Sequence, residues 1–217
     1  MAVEETGYGN AKDKLGKNML AAERLPQELR GMKTIGVLRE RAEEKVTEFA
    51  VPVGVVAAIL PTTNPTSTAI YKTLISLKAG NAIVLSPHPR AKGCTCATAE
   101  VLYRAAVSAG APEGIIQCLT QPTMNSTNEL MRHPRTAVIL ATGGSGIVKA
   151  AYSSGKPAFG VGPGNVPVLI EEITRMRIEL IGLSCTPQHS DARVLDQLIY
   201  KWRHFRTILT RVLVEKY

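Results

Sequence analysis

Two proline-stiffened loops carry the polar side chains of this sequence that are best suited to binding a ligand. The first loop follows an apolar run at residues 53–60 and holds two threonines and an asparagine between two prolines. The second loop is Ser-Pro-His-Pro-Arg, and its serine is the last residue of the run at 82–86. Strands that are buried on both faces of a parallel sheet have continuous apolar sequences of this kind. Open α/β sheets bind ligands beyond the carboxyl ends of such strands. A right-handed crossover would place both loops side by side. We therefore predict one cleft, formed by Ile59, Leu60, Pro61, Thr62, Thr63, Asn64, Ser86, His88 and Arg90.

Glycine-rich turns form a second candidate for ligand contact. Thr142-Gly143-Gly144-Ser145-Gly146 leaves a predicted strand and opens a helix, and Gly162 and Gly164 lie in a later Gly-Pro-Gly turn. Glycine lets a phosphate approach the backbone, and free amides at a helix N-terminus favour an anion. The spacing matches neither G-x-G-x-x-G nor the phosphate-binding G-x-x-x-x-G-K-[ST]. Taken alone, a plain strand-to-helix turn is at least as good an interpretation.

The elements that position these loops alternate between strand and helix. Residues 45–51 alternate polar and apolar side chains and lead through Pro52 into the first core strand, and Gly80 and Asn81 are a helix stop signal. Alternation of this kind is typical of a parallel, doubly wound α/β sheet. Helices are predicted at residues 11–30, 66–79, 92–109, 123–132 and 147–154, and strands at 53–60, 82–86, 115–119, 137–141 and on both sides of the Gly-Pro-Gly turn.

Composition narrows the class of protein further. The chain has 217 residues, 45% of them hydrophobic and 5% aromatic, which suits one aliphatic α/β core. It has no apolar run of about 18 residues and no basic-then-apolar start, so a cytoplasmic protein is expected. The net charge of +8 comes from dispersed Lys and Arg, which indicates a solvated basic surface rather than a nucleic-acid site. Four irregularly spaced cysteines predict ordinary thiols, with neither a disulfide framework nor a metal site.

Four collinear motifs resemble one enzyme family. They are ETGYGNAKDKLGKN, PTTNPTSTAIYKTLISLKAGNAIVLSPHPRAK, TGGSGIVKAAYSSGKPA and GVGPGNVPVLI. Together they resemble the CoA-acylating aldehyde dehydrogenases, and most closely the aldehyde half of bifunctional aldehyde-alcohol dehydrogenases, from about Val3 to Ile170. The resemblance implies a Rossmann-like NAD-binding domain at residues 1–170 that lacks an early helical segment. It also implies oxidation of an aldehyde, most simply acetaldehyde, to its acyl-CoA with NAD and coenzyme A.

Roles for single residues follow from the same resemblance. Asn64 corresponds either to the asparagine that stabilises the oxyanion or to a residue that holds the turn. Ser86, His88 and Arg90 fall on the cofactor side of the cleft, and Gly144 lies beside the cofactor. Hydrolytic relatives place a glutamate base near residues 157–170, where this chain has none. Without that base the acyl group would wait for a thiol such as CoA.

Residues 171–217 do not resemble the family. The family's nucleophilic cysteine belongs about a helix and a loop beyond residue 170, and Cys185, the only thiol there, comes too early and lacks the expected surroundings. We expect the catalytic cysteine to be absent, and residues 171–217 to be an unrelated tail, such as a frameshift would produce. Interleaved aromatic and basic residues at 200–211 could bind nucleic acid or a membrane, but accidental composition is the better explanation.

These expectations define three possible functions for the chain. A truncated enzyme would bind NAD but not turn over. A non-catalytic assembly module would form a homo-oligomer or pair with a full-length homologue. An inactive remnant would expose the sheet surface that normally meets the substrate domain.

Overall fold

A computed structural model describes residues 1–162 together with Thr210 and Val214. The chain divides into two compact units, Met1–Pro163 and Gly164–Tyr217, and all elements described here belong to the first. Its helices are α1 (Ala2–Thr6), α2 (Ala11–Met19), α3 (Leu25–Arg30), α4 (Pro65–Lys78), α5 (Lys92–Ser108), α6 (Met124–Arg132) and α7 (Ser145–Tyr152). Its strands are β1 (Gly36–Arg41), β2 (Val46–Ala50), β3 (Val55–Ile59), β4 (Ala82–Ser86), β5 (Ile116–Cys118), β6 (Thr136–Thr142) and β7 (Ala158–Val161).

The central sheet is parallel, with the strand order β5-β4-β3-β6-β7. The chain winds outward from β3 through β4 to β5, then returns to the other side of β3 to form β6 and β7. This order confirms the predicted doubly wound α/β fold, and it puts the topological switch point between β3 and β6. The strand predicted at residues 53–60 is shorter at both ends, and the second strand of the Gly-Pro-Gly turn lies outside the described residues.

Both faces of β3 are buried in the core. Val56 and Ala58 belong to one buried cluster, while Ala57 and Ile59 belong to another on the opposite face. Successive side chains of a strand point to opposite faces, so a strand covered on both faces needs an unbroken apolar run. The core is aliphatic, as the low aromatic content predicts.

The helices fall within two residues of their predicted bounds. Residues 11–30 are helical throughout, but a π turn at Leu20–Arg24 separates α2 from α3. Pro26, the second residue of α3, follows shortly after this turn and has no N–H to continue the regular α-helical ladder. Helix α7 begins at Ser145, two residues before the predicted start.

The turn before β4 is fixed by two residues that the sequence marks as a helix stop. Gly80 has φ +71°, and a Cβ there would lie 2.8 Å from the Pro52 Cγ. The buried Asn81 accepts hydrogen bonds through Oδ1 from the amides of Val53 (2.7 Å) and Gly54 (3.0 Å). These bonds anchor the segment that enters β3 and so set where the first loop begins.

An antiparallel hairpin stands apart from the central sheet. Strands β1 and β2 pair only with each other. Arg41, the last residue of β1, forms ion pairs with Glu44 in the connecting turn and with Glu48 on β2. Strand β2 lies within the alternating stretch at residues 45–51, and the partner strand β1 has no counterpart among the predicted elements. Within the described part of the chain, no helix has both the length and the apolar character to cross a bilayer.

Candidate functional site

The two proline-stiffened loops lie side by side at the carboxyl edge of the sheet. Ile59 and Ser86, the last residues of β3 and β4, are partners in the parallel register. Just beyond them, the Leu60 amide donates to the Ser86 carbonyl at 3.0 Å. The crossover therefore brings together the segments that were predicted to form one cleft.

Asn64 lies at the N-terminus of α4 without capping it. Its side chain makes no cap hydrogen bond, and its Oδ1 accepts from the ammonium groups of Lys14 and Lys17 on α2, each at 3.3 Å. Lys14 also donates to the Thr63 carbonyl. Helix α2 thereby holds the first loop from outside the sheet. Among the described residues, none accepts a hydrogen bond from the Asn64 Nδ2 group.

The second loop divides into buried and exposed parts. Ser86 is fully buried, and its hydroxyl lies 2.8 Å from that of Thr127 on α6. His88 and Arg90 are exposed, and the His88 Nδ1 accepts from the Arg90 amide at 3.1 Å. Partial desolvation and the nearby Arg90 charge lower the pKa of His88. The three side chains that were predicted together therefore occupy different environments.

The glycine turn leads from β6 into α7. Gly143 is sterically required, since a Cβ there would lie 2.7 Å from the Ile147 Cγ2. Gly144 is the exposed N-cap of α7, with no side-chain cap and no atom within 4 Å of its Cβ position. Among the described residues, none therefore occupies the Cβ position of Gly144 beside this helix N-terminus. Gly162, the last residue of the continuously described segment, is also exposed and has an equally open Cβ position.

Lys72 is a site residue that the sequence analysis does not single out. Its side chain is only 4% exposed, and its Nζ donates to the carbonyls of Ile59 and Leu140, both at 2.7 Å. These carbonyls lie at the carboxyl ends of β3 and β6, so one amine bridges the switch point of the sheet. Burial lowers the pKa of this amine to about 7. The sequence signal was a lysine three residues after Ala69, on the stripe of α4 that the structure buries.

A cavity of about 710 Å³ opens beside this bridge. One wall comes from α2, α3 and the π turn between them, and the other comes from α4 and the end of β6. Asn64 and Lys72 both reach it, so the first loop and the switch point face the same space. Its lining residues are Lys17, Leu20, Ala21, Arg24, Leu25, Glu28, Asn64, Ser67, Thr68, Tyr71, Lys72 and Thr142.

Comparison with known proteins identifies the family of this chain. Residues 9–171 match the model of the aldehyde dehydrogenase family. The chain belongs to that family. It is 53% identical over 172 residues to the bifunctional aldehyde-alcohol dehydrogenase of Escherichia coli (strain K12). The aligned residues make up 79% of this chain and 19% of that protein.

Solved structures of acylating aldehyde dehydrogenases are similar in fold as well as in sequence. An acetylating aldehyde dehydrogenase from Geobacillus thermoglucosidasius superposes with a TM-score of 0.75 and 56% identity, covering 82% of this chain and 41% of that one. A propionaldehyde dehydrogenase from Rhodopseudomonas palustris, with bound CoA and an acylated cysteine, gives a TM-score of 0.63 and 37% identity, covering 82% and 41%. The resemblance to the acylating branch is thus confirmed for the Rossmann-like domain.

The match spans only part of each relative. The chain covers about a fifth of the length of the curated aldehyde-alcohol dehydrogenases it matches first. The predicted boundary at residue 170 and the unrelated tail stay predictions, and one alignment with another aldehyde-alcohol dehydrogenase covers 95% of this chain and so extends past that residue.

The described cysteines lie away from the cavity beside Lys72. Cys94, Cys96 and Cys118 belong to α5 and β5, and none lines the cavity. Burial and the Glu5 carboxylate raise the pKa of the Cys94 thiol to about 11, which disfavours the reactive thiolate. Cys185 lies outside the described residues. No group of three or more metal-ligating side chains occurs in the described part of the chain.

Proposed function

We propose that this chain carries the NAD-binding part of a CoA-acylating aldehyde dehydrogenase, an enzyme that oxidises an aldehyde, acetaldehyde in the first instance, to its acyl-CoA. One observation carries the proposal. The first loop and the glycine turn follow β3 and β6, the two neighbouring strands on either side of the switch point, in a chain that is 53% to 56% identical to bifunctional and acetylating relatives over the aligned residues. We also propose a cytoplasmic location, which rests on the sequence alone.

The residues at this edge fit a dinucleotide. The N-terminus of α7 carries no side-chain cap, and the Cβ position of Gly144 is open, so a phosphate could approach the first amides of the helix. Ile59 and Leu60 would act through their backbone, because their side chains are buried in the core clusters, Pro61 would add an apolar contact, and Thr62, Thr63, His88 and Arg90 would supply polar contacts. Ser86 would act through its backbone, because its hydroxyl is buried against Thr127. NAD, when bound, supplies the hydride acceptor for the oxidation.

Asn64 is the proposed oxyanion donor. Lys14 and Lys17 occupy its carbonyl oxygen, which orients the amide and leaves the Nδ2 hydrogens to donate elsewhere. A fixed N–H donor stabilises negative charge that develops on a substrate oxygen. The alternative, in which Asn64 holds the turn, also stays a prediction: its side chain does not cap α4, but the contacts of Oδ1 with Lys14 and Lys17 tie the loop to α2.

The acyl-transfer step needs a nucleophilic cysteine that the described residues do not place at this site. In the proposed reaction the thiolate of that cysteine would add to the aldehyde carbonyl and hold the acyl group; NAD would supply the hydride acceptor and CoA the accepting thiol. The proposal for this chain is therefore narrower: it binds NAD but does not form acyl-CoA on its own.

The first experiment is an NAD titration of the purified chain by calorimetry. We expect saturable binding that Gly144→Val removes, because the added side chain occupies space beside the first turn of α7, where a Cβ meets no described atom within 4 Å. Gly16→Val is the matched control, since its Cβ position on α2 is equally open. Equal affinity in the wild type and Gly144→Val would contradict the cofactor position, and no binding at all would contradict the function.

A second experiment tests the missing nucleophile. Acetaldehyde and CoA are added to the NAD-loaded chain while the absorbance of NADH is followed. We expect no NADH. NADH formation that Cys185→Ala abolishes would show that residues 171–217 supply a working thiol.

The hairpin favours a second candidate function, association with a second, homologous chain. Phe49 on β2 is 64% exposed, and Val51 and Val53 follow at 73% and 57%. Such a row of exposed apolar side chains marks an interaction surface. Sedimentation of the wild type and Phe49→Ser, alone and mixed with a full-length homologue, tests this: association that the substitution does not weaken would exclude the hairpin as the interface.

A further inference from the structure

Cys96 and Cys118 place two thiols in contact although 22 positions separate them in sequence. Cys96 lies in the second turn of α5, and Cys118 is the last residue of β5. Their Sγ atoms are 3.2 Å apart. A disulfide needs an S–S distance of about 2.05 Å, so closing the bond requires a movement of only about 1 Å.

Both thiols are only partly buried. Each also lies near the Leu119 carbonyl, at 3.8 Å from Cys96 and 3.9 Å from Cys118. Strand β5 is the outermost strand of the five-stranded sheet, so the pair lies at an edge that a small oxidant can reach. Cys94 differs, because it is 1% exposed and donates to the Ala91 carbonyl on the other side of the helix start.

We propose that Cys96 and Cys118 form a reversible oxidation site, at which a peroxide converts the two thiols into a disulfide that ties α5 to β5. The Cys96 thiolate attacks the peroxide O–O bond, which gives a sulfenic acid and, after protonation of the leaving oxygen, water. The Cys118 thiol then attacks the sulfenic sulfur, the S–O bond breaks, and a second water leaves with the thiol proton. Two thiols and one hydrogen peroxide thus become one disulfide and two waters.

The surroundings of the two thiols bear on the order of these steps. Burial, together with the neighbouring Cys96 thiol, raises the pKa of Cys118, so its thiolate is scarce at neutral pH. Attack on peroxide requires a thiolate. This disfavours Cys118 as the first attacker, and the products, one disulfide and two waters, are the same whichever thiol is oxidised first.

The bond would stabilise the folded chain. It closes a segment that contains most of α5, the turn after it and β5, and it restricts the unfolded chain more than the folded one. For a loop of this length in a domain of this size, the expected rise in Tm is roughly 5–10 °C.

The test uses the full chain, treated with hydrogen peroxide, blocked with N-ethylmaleimide and digested with trypsin. Cleavage after Lys92, Arg104 and Arg132 separates the two thiols, since Cys96 falls in residues 93–104 and Cys118 in residues 105–132. We expect one disulfide-linked pair of these peptides, released by dithiothreitol, and the rise in Tm given above.

Single substitutions assign the bond, because residues 93–104 also contain Cys94. Cys96→Ser and Cys118→Ser should abolish the linked pair and the rise in Tm, while Cys94→Ser and Cys185→Ser should retain both. The urea-unfolded wild type is the reference for random pairing. Linkage through Cys94 or Cys185, linkage between chains, or sulfinic acid without any linked pair would each overturn the proposal. None of these readouts requires enzymatic activity.

Discussion

The buried amine of Lys72 should make the stability of the folded chain depend strongly on pH. Burial lowers its pKa from an ordinary value of 10.5 to about 7. Since one pKa unit corresponds to about 1.36 kcal/mol, keeping this amine charged in the folded chain costs about 5 kcal/mol. Because the folded pKa is depressed, the cost is fully present below pH 7 and disappears as the pH rises from 7 towards 10.5. Between pH 7 and pH 9 the free energy of unfolding should therefore increase by about 2 kcal/mol from this group alone.

Urea denaturation of the wild type and Lys72→Met at pH 7, 8 and 9 measures this contribution. The difference between their pH slopes isolates Lys72, because the other titrating groups, including the Cys94 thiol, are common to both chains. Absolute stability is not the readout, since the substitution also removes the donor from two strand-end carbonyls. Lys78→Met, on the same helix but only partly buried, is the matched control and should keep the wild-type slope. Equal slopes in the wild type and Lys72→Met would show that the ammonium reaches water in the folded chain and would refute the argument.

Three further substitutions test the contacts that position the loops. Asn81→Ala should cost about 2 kcal/mol of unfolding free energy, measured by urea denaturation, because it leaves two backbone amides before β3 without their acceptor. Glu5→Ala should cost about 1 kcal/mol, since the carboxylate accepts from the first amides of α5 at 2.6 and 2.7 Å. Partial burial alone would raise the pKa of Glu5, but the hydrogen bonds from those amides outweigh this effect and lower the pKa. The difference in unfolding free energy between the wild type and Glu5→Ala should therefore be present at pH 7 and vanish as the pH falls below 4.5. Gly143→Ala should cost about 1–3 kcal/mol through its clash with Ile147, whereas Gly146→Ala, with an open Cβ position, should not destabilise α7; thermal unfolding compares the two.

The fold could be predicted from the sequence because local signals and the global fold agree. The apolar runs at β3, β4 and β6 predict strands that are buried on both faces of the sheet. Gly80 and Asn81 end α4 at the point where the chain turns into β4. Strand β1 escaped prediction because a two-stranded hairpin outside the core has only a short apolar signal. Its identity depends on pairing with β2, a non-local contact that periodicity does not encode.

The site was only partly accessible from sequence, for a related reason. Chain order identifies which loops follow which strands, and crossover handedness then brings them together. It does not reveal which way a side chain at a strand end points, so Ser86 was grouped with His88 and Arg90 although its hydroxyl faces Thr127. Cys96 and Cys118 were interpreted as ordinary thiols because their contact joins a helix to a strand from distant positions.

Lys72 shows why a charged side chain can be essential to the architecture of a switch point. Where the strand order reverses, β3 and β6 are neighbours in space, although paired residues such as Ile59 and Ala141 lie 82 positions apart in sequence. The register between these strands shifts once near their start, between Val55 and Val56, and is regular from there to Ile59 and Ala141. A neutral amine has two N–H donors, and the two strand-end carbonyls are matched to them, so deprotonated Lys72 can bridge both strands without a buried charge. An apolar residue would fill the same volume but would leave both carbonyls unbridged. The geometry of the proposed NAD cleft therefore depends on a residue of α4 that need not touch the cofactor.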